Sequence, residues 1–217
     1  MAKRARTPGL GRLESFSDAV FAIALTLLVL DLLPKGAQSP QQLLDAWPTY
    51  LAYLAGFITI GITWLNHNQH LARLRGADPV VLVLNLGLLL GVSLAPWPTA
   101  LVATALTDGD RDSQIAAILV YSIVTVILSV PWLILDVHLM RHPALLESAG
   151  DVKWMRTHAL ASIGTIIAAG IGFEISYISP LASLILFLVI GAGFLVLRLR
   201  EKAAPPEASD DVPTSSS

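Results

Sequence analysis

Six long stretches of this sequence are nearly free of charge, and each approaches the length that crosses a bilayer. A spanning helix needs about 20 mostly apolar residues. The stretches run from Gly11 to Pro34, Ala46 to Leu65, Pro79 to Thr107, Ser113 to Leu135, Met155 to Phe173 and Leu181 to Leu197. Between Ala19 and Leu30 only Thr26 is not apolar, and the second and third stretches contain no charge at all. The third is longer than one crossing requires, and Pro96 and Pro98 predict a kink or break near its outer end. Glu174 and Pro180 mark a short turn between the last two. The pattern predicts an all-α membrane protein with six transmembrane helices.

Charge supports this reading. Charged residues make up 14% of the chain and apolar ones 54%, against about 25% charged in soluble domains. So few charges could not solvate a soluble surface, whereas a lipid-facing surface needs almost none. A net charge of -2 gives no footprint for nucleic acid. The absence of cysteine excludes disulfides, thiolate metal sites and cysteine nucleophiles. The basic start (Lys3, Arg4, Arg6, Arg12) ahead of an apolar run resembles a signal peptide, but no small-residue cleavage site follows Leu33. The run is therefore read as a retained helix.

Loop charges set the orientation. Basic residues fall before the first helix, in the second loop (Arg73, Arg75), in the fourth (Arg141, Lys153, Arg156) and after the sixth helix (Arg198, Arg200, Lys202). The odd loops hold Lys35, Asp45, Asp108, Asp110, Arg111, Asp112 and Glu174. Both termini are predicted to be cytoplasmic, with residues 1–202 forming one six-helix unit. Residues 203–217, rich in Pro, Ser and Asp, are expected to be a disordered tail. No phosphate-binding loop, zinc-protease helix or nucleophile elbow is present.

The first helix carries two unusual features. One is Asp18, about a turn and a half inside the cytoplasmic end; a carboxylate in a membrane helix costs up to roughly 2.5–3.5 kcal/mol and faces protein or water. The other is a stripe. At about 100° per residue, Ile23, Leu27 and Leu30 lie within roughly 60° of one another, and Asp18 sits about 140° from Ile23. If the stripe faces a pore, Asp18 faces the bundle. Asn85 lies about 10 Å along the third helix, which puts Ser17, Asp18, His67 and Asn85 at similar depth. A polar cluster there, joined by Arg12 from the interface, would pin the first helix to the second and third. Spacing alone does not assign the pore, since such a row occurs on any Leu-rich helix, and Asp18 by itself reads either as a structural carboxylate or as a proton relay. Trp47, Trp64, Trp97, Trp132 and Trp154 fall mostly near helix ends, as in an aromatic belt. His70, His138, His142 and His158 lie near the cytoplasmic ends and receive no function.

The same residues carry a family resemblance. Arg12-x-x-x-Phe16-Ser17-Asp18, continued by AVFAIALTLLVLDL, resembles the signature of the transmembrane protein 175 family of potassium channels. Trp64-Leu65-Asn66-His67 is similar to that family's Trp-x-x-His, and Leu84 to Val102 is similar to its third helix. The motifs cover the first half of the chain; the second half matches in hydropathy. The resemblance implies a bacterial single-unit form in the plasma membrane, assembling as a homotetramer with its first helix lining the pore at the symmetry axis. Animal members carry two units and assemble as dimers. It implies that Ile23, Leu27 and Leu30 form the constriction, that Thr26 flanks it and bears on potassium preference, and that the Phe-Ser-Asp and Trp-x-x-His motifs hold the helix in place.

The expected function is a potassium-preferring cation channel, not an enzyme. Its expected partners are its own copies, the lipid bilayer and the permeant potassium ion, with no cofactor and no resident metal beyond potassium near Ile23 and Thr26. Aliphatic rings offer no oxygen ligands, so selectivity would rest on dehydration, pore radius and Thr26, and such rings close by dewetting. Asp31 reads equally as a cation-concentrating carboxylate at the outer mouth and as a simple interfacial charge. The alternative is a secondary or proton-coupled transporter using Asp18.

Overall fold

The computed structural model describes residues 8–32, 39–180, and 182, 183, 185–187, 189 and 190. Among these the regular structure is helical, apart from one isolated antiparallel bridge between Leu74 and Leu146. Helix α1 spans Pro8–Leu27 and tightens into a 3-10 turn at Leu28–Leu32. A short α2, Pro40–Asp45, is capped by Ser39, whose hydroxyl oxygen accepts from the Gln42 N–H. Then follow α3 (Trp47–Ala72), α4 (Pro79–Leu94), α5 (Pro96–Asp108), α6 (Arg111–Arg141) and α7 (Asp151–Ser176). The described residues between 180 and 190 are helical; the rest of the sixth predicted stretch and the expected tail lie outside the described residues.

Start signals explain these boundaries. Asp78 and Asp110 both accept a backbone N–H three residues on, at 2.8 and 2.9 Å, and so cap α4 and α6. Pro79 and Pro96 occupy first-turn positions, where a missing N–H costs nothing. The expected break in the third stretch falls at Ala95, because Pro96 cannot continue the ladder of α4.

Among the described residues four stretches are long and apolar enough to cross a membrane: Gly9–Leu30, Pro79–Leu106, Arg111–Arg141 and Asp151–Ser176. Several helices outrun the apolar limits read from sequence. Helix α3 continues past Leu65 to Ala72, and α6 continues past Leu135 to Arg141. Hydropathy ends where polar residues begin; a helix ends only where its backbone is interrupted, here near Gly76 and Pro143.

Helix α6 is the organising strut: α7 packs along it, with α4 and α5 beside it, and α3 joins α5 and α1. Helix α1 and the 3-10 turn that follows bury Leu10, Leu13, Ser17, Phe21, Ala24 and Leu28 on one face, repeating every three to four residues, with α1 packed on α3 and α4. The core runs from these residues through Val81, Leu88 and Val92 to Trp132, Leu135, Leu139 and Met155. At the end bearing Arg73 and Arg141, the Arg75 N–H donates to the Leu145 carbonyl (2.8 Å) and the Glu147 N–H to that of Arg73 (2.9 Å). These bonds tie the α3–α4 loop to the α6–α7 loop.

Helices α4 and α6 approach closely at Gly91, where a Cβ would stand 2.8 Å from Leu128 Cα. Apolar surface gains little from leaving lipid, so small residues that admit close backbone contact matter more in a membrane. Gly91→Ala should therefore lower stability by about 1–3 kcal/mol, the usual cost of overpacking. A thermal melt of the purified protein checks this, with Gly164→Ala as control because nothing lies within 4 Å of its Cβ position.

Candidate functional site

Helix α1 is divided by face. Opposite its buried seam lie Ile23 (58% exposed), Leu27 (43%) and Leu30 (63%), with Thr26 also exposed among them. The predicted stripe is thus the side of α1 that its own chain leaves uncovered. The Thr26 hydroxyl donates to the Ile23 carbonyl at 2.8 Å, which turns the oxygen lone pairs outward. Asp31 falls in the 3-10 turn, and its side chain lies outside the described residues.

The buried side holds the polar residues. His67 Nε2 lies 2.8 Å from Asn85 Oδ1, and Asn85 Nδ2 donates to Ser17 Oγ at 3.1 Å. The Ser17 hydroxyl donates to the Leu13 carbonyl at 2.8 Å. Because the Asn85 oxygen only accepts, His67 must carry its proton on Nε2. The result is a directed chain from α3 through α4 into α1, with all three side chains buried at 3% exposure or less. Asp18 takes a different partner from the expected cluster: its carboxylate accepts from Trp64 Nε1 at 2.8 Å. Arg12 and Phe16 are exposed and stand outside both contacts.

Asn85→Leu keeps the branched shape of the side chain but leaves the His67 N–H with no acceptor. We expect it to cost roughly 1–3 kcal/mol, the desolvation penalty of an orphaned buried donor. Ser17→Ala should cost less: it orphans the Asn85 Nδ2–H but leaves the bond between His67 and Asn85 in place, whereas Asn85→Leu removes both bonds. Melting temperatures of the two variants check the order.

A second polar centre went unread in the sequence. Asp136 of α6 is wholly buried and lies between His70 of α3 (Oδ1 to Nε2, 2.9 Å) and His158 of α7 (Oδ2 to Nδ1, 2.6 Å). Aromatic rings surround it: Trp132 is 4.3 Å and Trp154 4.5 Å from the His70 ring, centroid to centroid. The Arg73 guanidinium covers Trp154 at 4.0 Å and reaches Asp151 at 3.5 Å. His67 connects the two centres, lying 5.3 Å from Phe21 of α1 and 6.1 Å from Trp132. A usable signal was present. Helix α6 has no proline or glycine between Pro131 and Pro143, so Asp136 belonged inside it rather than at its end. Nearby, Asp78 pairs with His138 at 2.8 Å; the Val81 backbone N–H, aided by that imidazole, holds the Asp78 carboxyl below the usual carboxylate range.

Similarity to known proteins covers most of the chain. Residues 12–96 match the family described as endosomal/lysosomal potassium channel TMEM175. A potassium channel of Streptomyces collinus is 38% identical over 203 residues, spanning 90% of this chain and 98% of that one. The human endosomal/lysosomal proton channel TMEM175 is 24% identical over 231 residues; this chain spans 46% of its length. Among solved structures, a lysosomal potassium-selective channel TMEM175 homolog from Chamaesiphon minutus superposes with a TM-score of 0.68 at 26% identity, covering 88% of this chain and 98% of that one. The potassium channel MtTMEM175 shares the fold, with a TM-score of 0.64 at 16% identity, covering 93% of this chain and 95% of that one.

Proposed function

Because this chain belongs to the TMEM175 family, we propose that it is a potassium channel, not an enzyme, and that α1 lines its conduction path. It is a multi-pass, all-α membrane protein with the TMEM175 fold. One observation carries the pore assignment: α1 is sealed to its own chain along one face and leaves Ile23, Thr26, Leu27 and Leu30 uncovered on the other. In a homotetramer, four such faces around an axis would enclose a narrow aliphatic passage. The Thr26 lone pairs supply the only oxygen among these four side chains for a passing cation. Asp31 would stand at the outer mouth. Six membrane-crossing helices per subunit and cytoplasmic termini, in a bacterial plasma membrane, complete the reading.

In this arrangement the polar motif does not meet the ions. Ser17, His67 and Asn85 form one anchor, and Asp18 with Trp64 forms another. Both resist rotation of α1, which would otherwise turn the aliphatic face away from the axis. An Asp18 engaged by an indole N–H also differs from the free carboxylate that a proton-coupled carrier would use.

Reconstitution tests the function. Potassium-loaded liposomes holding the purified protein should release potassium faster than sodium-loaded ones release sodium. Proton flux is recorded separately, because the human relative is described as a proton channel. Vesicles that hold potassium as tightly as empty ones would refute the reading. Sodium release as fast as that of potassium would refute the preference.

A further inference from the structure

We propose that His70, Asp136 and His158 form a binding site for a divalent transition-metal ion, Zn2+ being the best fit to their chemistry, that clasps α3, α6 and α7 together. The site is separate from the conduction path: none of its residues lies on α1. The three donor atoms come from three helices and lie within 4.8 Å of one another, all on buried side chains. Two imidazoles and a carboxylate are a common zinc donor set, with a fourth position left for water. Imidazole also suits nickel, copper and iron, and disfavours magnesium and calcium.

Hydrogen bonding supports a cation at this point. His70 Nδ1 lies 3.0 Å from the Asn66 carbonyl, which only accepts, so Nδ1 carries a proton. In a neutral imidazole this leaves Nε2 as a bare lone pair aimed at Asp136 Oδ1 from 2.9 Å. Two lone pairs face each other, and an electrophile must sit between them. A ring whose far nitrogen donates to a backbone carbonyl is also the usual arrangement of a metal-ligating histidine, where the outer bond fixes tautomer and orientation.

The surroundings suit a retained ion. Trp132 and Trp154 pack on the His70 ring and lie 5.1 and 5.4 Å from the His158 ring, which excludes bulk water from its competition for the ligands. Zinc bonds of about 2.0–2.2 Å place tetrahedral ligand atoms roughly 3.3–3.5 Å apart. The present 2.6 and 2.9 Å separations must therefore open by about 0.4–0.9 Å, a movement within the reach of side-chain rotation. Entry is short, because His70 lies two residues before the end of α3 at Ala72, and α7 starts seven residues before His158.

A bound proton could hold the same pair together, and metal titration separates the two. Full-length protein in detergent, stripped with chelator, is titrated with Co2+. Visible d–d absorption should saturate at one ion per chain and vanish on adding Zn2+, and Zn2+ should raise the melting temperature by several degrees. His158→Gln should abolish both effects while the protein still elutes as the folded species. His142→Gln, on an exposed histidine, should leave both intact. Asp136→Asn serves as a second variant if it folds. The proposal is overturned if stripped protein shows no d–d bands at one equivalent of Co2+ and no Zn2+-dependent melting shift, which leaves a proton-held ion pair. It is equally overturned if His158→Gln still binds one ion. Neither result depends on conduction, so failure here and failure of the channel reading remain distinguishable.

Discussion

Reconstituted Ile23→Asn channels should pass cations about tenfold faster than the parent and lose most of their preference for potassium over sodium. A ring of four aliphatic side chains gives a cation no oxygen to replace its water, so its barrier is the cost of wetting and entering an apolar neck. Four carboxamides would hydrate that neck. Lowering the barrier by about 1.4 kcal/mol yields the tenfold gain. Preference should fall in the same variant, because a wetted neck no longer charges sodium more than potassium for dehydration. Thr26→Ala should act more gently: it removes one outward oxygen per chain and keeps the neck apolar, so preference weakens while flux stays near the parent's. Flux measurements with each cation decide the matter. An Ile23→Asn channel with unaltered flux and unaltered preference would remove α1 from the conduction path.

Helix faces explain why the first half of the molecule was more legible than the second. In α1 the apolar positions repeat on both sides, so hydropathy predicted a span but no direction. What gave direction was a pair of polar side chains too costly to face lipid. Ser17 and Asp18 had to turn inward, and α3 and α4 meet them with His67, Asn85 and Trp64. The resemblance read from Phe16-Ser17-Asp18 and Trp64-x-x-His67 agrees with relatives that match nearly the whole chain. Depth matching did not foresee that Asp18 and Ser17 would choose separate partners. Adjacent residues on a helix point about 100° apart, so the two diverge, Ser17 to Asn85 and Asp18 to Trp64.

Helix ends were the less legible part. The fourth stretch was ended at Leu135, one residue before Asp136, and the second at Leu65, with His70 placed near a cytoplasmic end and given no function. Helix α3 in fact runs to Ala72 and α6 to Arg141, and both residues then face α7. Hydrophobic length measures the bilayer, not the helix, and groups just beyond the apolar limit are where polar packing between helices is least costly. Asp78 before Pro79 and Asp110 two residues before Asp112 are ordinary helix starts, whereas α3, α5 and α7 begin without a side-chain cap.

Removing Asp136 should be the most damaging single change in the structure. With metal kept away by chelator, Asp136→Ala should cost about 3–5 kcal/mol, the range for breaking a buried ionic contact, or roughly 10 °C of melting temperature for a chain of this size. The loss arises because His70 and His158 would keep their desolvation penalty and lose the carboxylate that offsets it. The sign should reverse when all three polar groups go together. A His70→Leu, Asp136→Leu, His158→Leu protein leaves nothing unsatisfied, and replacing a whole buried ionic set by apolar residues is often neutral or stabilising. Its melting temperature should return to near the parent's in chelator, so the three changes should be strongly non-additive, as expected for residues in one network. A melting series of the single and triple variants measures this directly. If the triple variant is as damaged as Asp136→Ala, the triad is a plain structural support of the three-helix junction. If it recovers, stability alone does not account for a carboxylate held between two imidazoles at this depth.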